Sequence, residues 1–276
     1  ALMDFEREEG KTLACCARLE SDVVIEAEID EEPDAEIIPV RDYTGTVSRL
    51  VELTPTIKGV FIMLDEPLHF QAGQYINLEI DGGRLTRAFS LANPPSRATE
   101  VELNVRLVPG GEGTTWIHTQ LAEGDRIRLS GPYGRFFVRK SSPGDLIFMA
   151  GGSGLSSPRS MILDLLEKGD RRNMTLIYGQ RRRDELYYHE EFLELARRHA
   201  NFRYVPALSD EPAESAWEGF RGFVHEAAKA AFGGDFRGHK AYLCGPPKMI
   251  EACIATLMQG RLYERDIYTE KFISAA

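Results

Sequence analysis

The apolar positions along the chain change their period near residue 140. Between residues 43 and 130, bulky residues occur in short runs that turn-forming residues interrupt, and such runs predict β-strands. Six strands are predicted, over residues 45–53, 60–64, 75–80, 85–92, 101–108 and 126–130, with one helix at 114–121. Six short strands separated by turn signals indicate a closed antiparallel barrel.

The pattern after residue 140 alternates between strands and helices. Residues 146–150 form a continuous apolar run, as expected of a parallel strand that is buried on both faces. Further strands are predicted at 174–178, 202–207 and 241–244, and helices at 158–168, 188–199, 224–232 and 247–259. This alternation predicts an open, mostly parallel α/β sheet, so the fold class is an all-β domain followed by an α/β domain.

Residues 1–35 differ from both domains. They contain a strand-like run at 21–26 but too few apolar residues for a core of their own. Residues 28–36 are acidic, include Pro33 and lack an apolar period, which predicts a solvated linker. We therefore expect three parts: residues 1–35, a barrel at 36–140 and an α/β domain at 141–276.

Charge and composition exclude some classes of function. The net charge of −10 argues against nucleic acid and against an anionic membrane surface as partners. No apolar run reaches the length of a spanning helix, and the first residues do not resemble a signal peptide. The four cysteines lack the spacing of a disulfide framework. These features predict a cytoplasmic protein.

The predicted strand at 85–92 carries distinctive side chains in direct succession: Arg87, Ala88, Phe89 and Ser90. An arginine can bind a phosphate through a forked contact, an aromatic ring can stack on a flat ligand, and a serine can hydrogen-bond the edge of that ligand. The strand could therefore hold a flat ligand with a phosphate tail. An ordinary amphipathic edge strand explains these residues equally well.

Turns that could bind a ligand precede three of the predicted helices. The barrel has Gly111-Glu112-Gly113-Thr114-Thr115, which is suited to a pyrophosphate but is also compatible with a plain hairpin and helix cap. Two further turns follow parallel strands: Gly151-Gly152-Ser153-Gly154 and Cys244-Gly245-Pro246-Pro247-Lys248-Met249. Because the carboxyl ends of parallel strands are where such sheets bind nucleotides, the two turns together predict a nucleotide site.

In this order, the motifs resemble those of the ferredoxin–NADP reductase superfamily, over residues 41–276. Residues 87–90 match its flavin strand, the two later turns match its nicotinamide-side motifs, and Glu270-Lys271-Phe272 is similar to its terminal acid-x-aromatic. The resemblance implies a six-stranded Greek-key barrel that binds FAD and an α/β domain that binds NAD.

The chain most resembles the reductases of bacterial multicomponent monooxygenases, of the phenol hydroxylase, toluene and methane monooxygenase type. This implies that NADH reduces FAD, which passes single electrons through a [2Fe–2S] centre to a di-iron hydroxylase that acts on an aromatic compound. Leu13-Ala14-Cys15 resembles the end of a plant-type ferredoxin domain, with Cys15 as the fourth cluster ligand. The upstream C-x₄-C-x₂-C loop does not occur in this sequence, so we expect residues 1–35 to be a remnant that binds no cluster.

The resemblance also implies the site residues. Those for FAD are Arg87, Ala88, Phe89, Ser90, Gly111, Gly113, Thr114, Thr115 and Phe272. Those for NAD are Gly151, Gly152, Ser153, Gly154, Cys244, Gly245, Pro246, Pro247 and Met249. Three of them would act in hydride transfer: Ser90 near the hydride-accepting atom, Cys244 near the nicotinamide, and Glu270 near Ser90.

Some alternatives remain open at this point. Gln180-Arg181-Arg182-Arg183 could bind the 2′-phosphate of NADPH, or be a solvated basic patch offset by Asp184 and Glu185. We expect NADH. A free-standing NAD(P)H:flavin or quinone reductase would need no protein acceptor, and a redox-sensing module would hold flavin and nucleotide without turnover.

Overall fold

The computed structural model describes residues 8–12, 17–18, 20–26 and 32–272. The chain divides into two compact units, Ala1–Pro33 and Asp34–Ala276. In the described part of the first unit, residues 21–26 form no strand, and Val23, Val24 and Ile25 are exposed. The strand predicted there is wrong, because no described segment of that unit offers an edge with which it could pair.

The first sheet of the second unit is antiparallel and six-stranded. Its strands are β1 (Arg41–Thr54), β2 (Ile57–Leu64), β3 (Tyr75–Ile80), β4 (Leu85–Ser90), β5 (Glu100–Arg106) and β6 (Arg126–Tyr133). They pair in the order β4-β3-β6-β1-β2-β5. A bridge between Leu91 and Leu103 joins the two ends of this order. The predicted six-stranded barrel is thereby confirmed.

Alternating apolar side chains fill the barrel. Val47, Ile62, Leu78 and Leu103 belong to one cluster of fully buried residues. Helix α1 (Glu112–Thr119) contributes Ile117 to the same cluster. Burial of this apolar surface at one face of each strand fixes the register, since a shift of one residue would expose it.

The second sheet has β7 (Asp145–Gly151), β8 (Met174–Gln180), β9 (Phe202–Leu208), β10 (Phe220–Arg221), β11 (His239–Gly245) and β12 (Ile267–Lys271). All its neighbours are parallel, in the order β10-β9-β8-β7-β11-β12. The open parallel α/β sheet is confirmed. The edge strands β10 and β12 were not predicted: the first has two residues, and the second is only partly buried.

Helices cover both faces of this sheet. Side chains of α2 (Ser156–Glu167) and α3 (His189–Arg198) pack with Phe148 on one face, whereas those of α4 (Val224–Phe232) and α5 (Pro247–Gln259) pack with Ile147 on the other. The first of these clusters also contains Ile57 and Phe136 from the barrel side, so the two sheets share apolar packing. Within the described residues, no helix is long and apolar enough to cross a membrane.

Of the acidic linker predicted at residues 28–36, residues 28–31 lie outside the described part of the chain, and the rest is only partly solvated. Asp34 accepts hydrogen bonds from the amide and the hydroxyl of Ser141, at 2.9 and 2.6 Å. The side-chain amide of Gln71 donates to the carbonyl of Asp34 at 2.8 Å. The segment after Pro33 is therefore attached to the folded unit, because its polar groups find partners there.

Candidate functional site

Three predicted residues meet at the junction of the two sheets. The Ser90 hydroxyl donates to Oε2 of Glu270 at 3.1 Å, and Sγ of Cys244 lies 3.5 Å from the same oxygen. The hydroxyl of Ser157 donates to that oxygen at 2.8 Å. One carboxylate oxygen thus faces two hydroxyls and a thiol. We call these four residues the Glu270 cluster.

Four different elements position the Glu270 cluster. Ser90 is the last residue of β4, and Ser157 lies in the first turn of α2. Cys244 and Glu270 occupy paired positions on the parallel strands β11 and β12. Ser90 and Cys244 are buried and Glu270 is partly buried, so water has little access to the hydrogen bonds between them.

Burial favours the neutral forms of Glu270 and Cys244. It raises the pKa of Glu270 above its ordinary value, although the hydrogen bonds from Ser157, Cys244 and Ser90 act in the opposite direction. Burial and the nearby Glu270 carboxylate raise the pKa of the Cys244 thiol well above its ordinary value. Cys244 is therefore a neutral hydrogen-bond donor at neutral pH and not a thiolate nucleophile.

A second group of donors lies between β4 and helix α1. The helix begins after Gly111, whose position offers no capping side chain, so amides of the first turn point outward. A Cβ atom on Gly113 would lie 3.1 Å from Cγ of Arg87, which brings the arginine stem against this turn. The guanidinium has no carboxylate partner within the described part of the chain. A cation beside uncapped helix amides is the donor set that a pyrophosphate requires.

The remaining FAD-side candidates take different positions. Phe89 is half-buried and packs against the barrel core, whereas Ala88 is exposed. The hydroxyl of Thr114 accepts from the amide of Val108 at 3.1 Å and donates to the carbonyl of Gly111 at 3.3 Å, and the carbonyl of Thr115 accepts from Thr119 at 2.8 Å. Phe272 is partly buried against the core of the second sheet, and its amide donates to Gly245.

The carboxyl ends of β7, β8 and β11 line a cavity of about 490 Å³. Gly151, Gly179 and Pro246 line it, together with Met249 and Lys248 of α5. Phe223 and His225, with ring centroids 5.9 Å apart and nearly parallel planes, also line it. Arg106 of the barrel also lines it. A cavity with aromatic and cationic walls at this edge of a parallel sheet suits a nucleotide.

Glycines of the first turn have structural reasons of their own. A Cβ atom on Gly154 would lie 2.4 Å from the carbonyl oxygen of Cys244, and one on Gly151 would lie 2.5 Å from Sδ of Met249. Gly152 has a φ of +59°, which favours glycine, and its carbonyl accepts from the Tyr187 hydroxyl at 2.9 Å. Close packing of turn and strand end therefore requires these glycines, whether or not they also contact a ligand.

The basic run after β8 is largely paired with acids. Arg181 and Arg182 both approach Oδ2 of Asp210, at 3.2 and 3.7 Å. Their backbone amides donate to Glu185 at 3.1 and 3.2 Å. Two of the three arginines in this run thus already have an acidic partner, which does not favour an additional phosphate.

The structure brings the catalytic candidates together and places the NAD-side turns at one cavity edge. Pro246 and Pro247 begin helix α5 there. Cys15, the proposed cluster ligand, lies outside the described residues. Among residues that the structure describes, no group of three or more His, Cys, Asp or Glu side chains is placed to hold a metal ion.

Sequence reasoning missed Ser157 and Arg106. Ser157 follows a glycine-rich turn, where a hydroxyl has no distinctive spacing. Arg106 belongs to a barrel strand, and only the packing of the two sheets brings it to the nucleotide cavity. The position of Ser157 in the first turn of a predicted helix could have indicated it, since serines there often bind nearby acceptors. No such indication existed for Arg106.

Comparison with known proteins decides the family. Residues 51–138 match the oxidoreductase FAD-binding domain and residues 148–254 the oxidoreductase NAD-binding domain. The chain is 65% identical, over its whole length and 78% of the relative, to the phenol 2-monooxygenase reductase component DmpP of Pseudomonas sp. (strain CF600). The chain belongs to the ferredoxin–NADP reductase superfamily, among the reductase components of phenol monooxygenases. It is therefore an oxidoreductase with FAD- and NAD-binding domains.

Other relatives agree with this assignment. The phenol hydroxylase P5 protein of Acinetobacter pittii is 57% identical over the whole chain and 78% of that protein. The crystal structure of the Amycolatopsis reductase GcoB superposes with a TM-score of 0.86 at 35% identity, over 98% of this chain and 80% of GcoB. In a member of this superfamily, Arg87 and the amides of α1 form a donor set that fits the pyrophosphate of FAD.

Proposed function

We propose that this chain transfers a hydride from NADH to FAD and delivers single electrons, through a [2Fe–2S] centre in the intact protein, to the di-iron oxygenase component of a phenol hydroxylase. The observation that carries the proposal is the Glu270 cluster, which joins the end of the predicted flavin strand to the end of the predicted nicotinamide strand. FAD, when bound, supplies the chemistry that converts a hydride into single electrons.

The residues of the chain divide the work. Arg87 and the first amides of α1, at Gly113 and Thr114, would hold the FAD pyrophosphate. Phe89 would stack on the flat ring system, and Ser90 would hydrogen-bond its edge. Phe272 would cover the ring from the other side. The turn at residues 151–154 and the turn at residues 244–249, which includes Met249, would hold the dinucleotide on the carboxyl ends of β7 and β11.

The Glu270 cluster would orient the reacting groups and exclude water. Ser90 comes from the barrel and Cys244 from the parallel sheet, and Glu270 accepts from both. A protonated Cys244 would add no charge beside a nicotinamide. Holding two reactants in one orientation supplies a large part of the rate enhancement in such transfers.

NADH is the preferred nucleotide in this proposal. Asp210 pairs with both Arg181 and Arg182, and Glu185 binds their backbone amides. An extra 2′-phosphate would compete with these carboxylates. Two of the cations that could bind the 2′-phosphate of NADPH are therefore already paired in this chain.

An oxygenase component as electron acceptor is supported by the names of two relatives, the reductase component of a phenol 2-monooxygenase and the phenol hydroxylase P5 protein. The di-iron nature of that oxygenase, Cys15 as a cluster ligand, the domain limits at residues 36–140 and 141–276, and a cytoplasmic location are further parts of the proposal.

The experiment compares two forms of the protein with the same flavin. One is this chain, and the other is extended at its N-terminus by a C-x₄-C-x₂-C ferredoxin loop. With NADH, the extended form is expected to support phenol hydroxylation by an added phenol hydroxylase oxygenase, and this chain to reduce only small acceptors such as ferricyanide. Rapid reduction of free flavin or quinone, with no support of the oxygenase by either form, would favour a free-standing reductase.

A further inference from the structure

A second buried cluster lies beside the Glu270 cluster, around Arg159 of helix α2. Arg159 is 4% exposed and Glu102 of β5 is 1% exposed. The guanidinium donates from Nη1 to Glu102 at 3.0 Å and to the carbonyl of Ala92 at 2.8 Å. Its Nε and Nη2 donate to the two oxygens of Glu191 on α3, at 2.7 and 3.0 Å. All three guanidinium nitrogens thus donate hydrogen bonds, to barrel residues on one side and to helix α3 on the other.

Tyr188 completes this arrangement, which we call the Arg159 cluster. Its ring lies against the guanidinium, with the central carbon 4.1 Å from the ring centroid, and its hydroxyl donates to Glu102. Tyr188 adopts a φ of +57°, a left-handed conformation that is unfavourable for a tyrosine. Backbone strain of this kind persists where surrounding contacts over-determine it, and it concentrates at functional sites.

The Arg159 cluster is directly connected to the predicted flavin strand. Ala92 and Asn93 follow Ser90 by two and three residues. Their carbonyls accept from Arg159 and from the hydroxyl of Ser160, the latter at 2.7 Å. One helical turn of α2 therefore holds both the segment after Ser90 and, through Ser157, the carboxylate to which Ser90 donates.

We infer that Arg159 is a positioning residue for hydride transfer, which sets the placement of Ser90 relative to Cys244 by fixing the 90–93 segment and helix α2 to each other. Glu102 and Tyr188 act with it. The inference rests on the proposed function, since it concerns the same transfer. Arg159 acts through the segment after Ser90 and the first turn of α2, and it is not among the residues that line the nucleotide cavity.

The Arg159 cluster is not needed merely to hold the barrel and the parallel sheet together. Ile57, Ala72, Phe136 and Val138 already pack into the core of the second sheet from the barrel side. Apolar packing is tolerant of small shifts, whereas a forked arginine between two carboxylates and a carbonyl permits one geometry. The carboxylates raise the pKa of Arg159 above its ordinary value despite its burial, so the cluster remains charged.

The test uses Tyr188→Phe and Arg159→Lys in the FAD-loaded chain, with Ser96→Ala as a matched control. Ser96 also joins the barrel to α2, through a 2.6 Å hydrogen bond to Glu167, but it is exposed and at the far end of the helix. Anaerobic stopped-flow mixing with NADH separates the limiting rate constant of flavin reduction from the NADH dissociation constant. Deuterated NADH shows whether hydride transfer limits that rate.

Both cluster variants are expected to lower the limiting rate constant about tenfold to hundredfold, with a full isotope effect and an NADH dissociation constant within about threefold of the wild type. Ser96→Ala should match the wild type. Misfolding would lower the amplitude and not the rate constant of the remaining flavoprotein, so the two effects are separable. Tyr188→Phe retains the charged groups and is the variant least affected by misfolding.

Amide exchange supplies a second readout. The amide of Ala92 donates to the carbonyl of Glu102, and we expect it to exchange faster in Arg159→Lys than in Ser96→Ala. Faster exchange with an unchanged limiting rate in both variants would make the cluster structural only and would overturn the inference. If NADH does not reduce the wild-type flavin, the proposed function fails first, and the inference with it.

Discussion

Ser90 and Glu270 are separated by 180 positions in the chain, and the hydroxyl of one donates to the carboxylate of the other across 3.1 Å. Ser90 ends a barrel strand, whereas Glu270 lies on the edge strand of the parallel sheet. Their contact joins the proposed flavin site of the barrel to the proposed nicotinamide site of the parallel sheet. The predictions below concern residues of these two sites.

Replacement of Arg87 should affect FAD binding, whereas replacement of Ser90 should affect the rate of flavin reduction. Arg87→Ala removes the cation beside the first turn of α1 and should weaken FAD binding by about 1.5 to 3 kcal/mol, roughly tenfold to hundredfold. Ser90→Ala should retain FAD and reduce the rate of flavin reduction about tenfold. The flavin-to-protein ratio after gel filtration, and stopped-flow rates, measure the two effects. Equal flavin contents and equal rates in the two variants would contradict the roles.

Glu270→Gln should change how stability depends on pH. The pKa of Glu270 is raised above 4.5 in the folded chain, so the folded state binds more protons than the unfolded state between 4.5 and that raised pKa. Wild-type stability from this group therefore falls as pH rises through that interval. The variant lacks this slope and should gain stability relative to the wild type with rising pH, as thermal unfolding at several pH values will measure. A parallel pH dependence in both proteins would contradict the raised pKa.

Asp210→Ala should shift the nucleotide preference towards NADPH. The substitution leaves Arg181 and Arg182 without the carboxylate that they share, so they become available to a 2′-phosphate. Because this pair is exposed, we expect a modest gain, about threefold to tenfold in kcat/KM for NADPH, with NADH little changed. Glu194→Ala, which removes an exposed carboxylate from Arg197 on α3, is the control. An unchanged kcat/KM for NADPH would show that Arg181 and Arg182 do not bind the 2′-phosphate.

Cys244 and Cys253 should resist alkylation in the native protein. Both are buried, and burial raises the pKa of Cys253 to about 12 and that of Cys244 well above its ordinary value. Iodoacetamide at neutral pH should leave both peptides unmodified, as mass spectrometry can show, and should modify both in guanidinium. Modification of Cys244 in the native chain would argue for a thiolate there.

Much of the fold could be predicted because the two domains have different hydrophobic periods. The six barrel strands, and four strands of the parallel sheet, each have a buried face that the sequence pattern displays. Strand β12 does not, since Ile267, Thr269 and Lys271 vary between half-buried and exposed. Its pairing depends on the free edge of β11, which no local pattern reveals.

The site residues were predicted from sequence motifs. The buried Arg159 cluster beside them was not predicted. The glycine-rich turns and residues 87–90 are contiguous and can be read directly. Arg159 resembles any surface arginine of a helix until Glu102 and Glu191, from distant parts of the chain, neutralise and bury it. A buried charge depends on partners that only the tertiary structure brings together.

The most direct test of the central claim is anaerobic titration of the FAD-loaded chain with NADH, followed by visible absorbance. We predict that one equivalent of NADH bleaches the oxidised flavin within the mixing time, and that NADPH does so far more slowly. If the flavin stays oxidised with excess NADH while both ligands remain bound, the chain is a binding module and not a reductase.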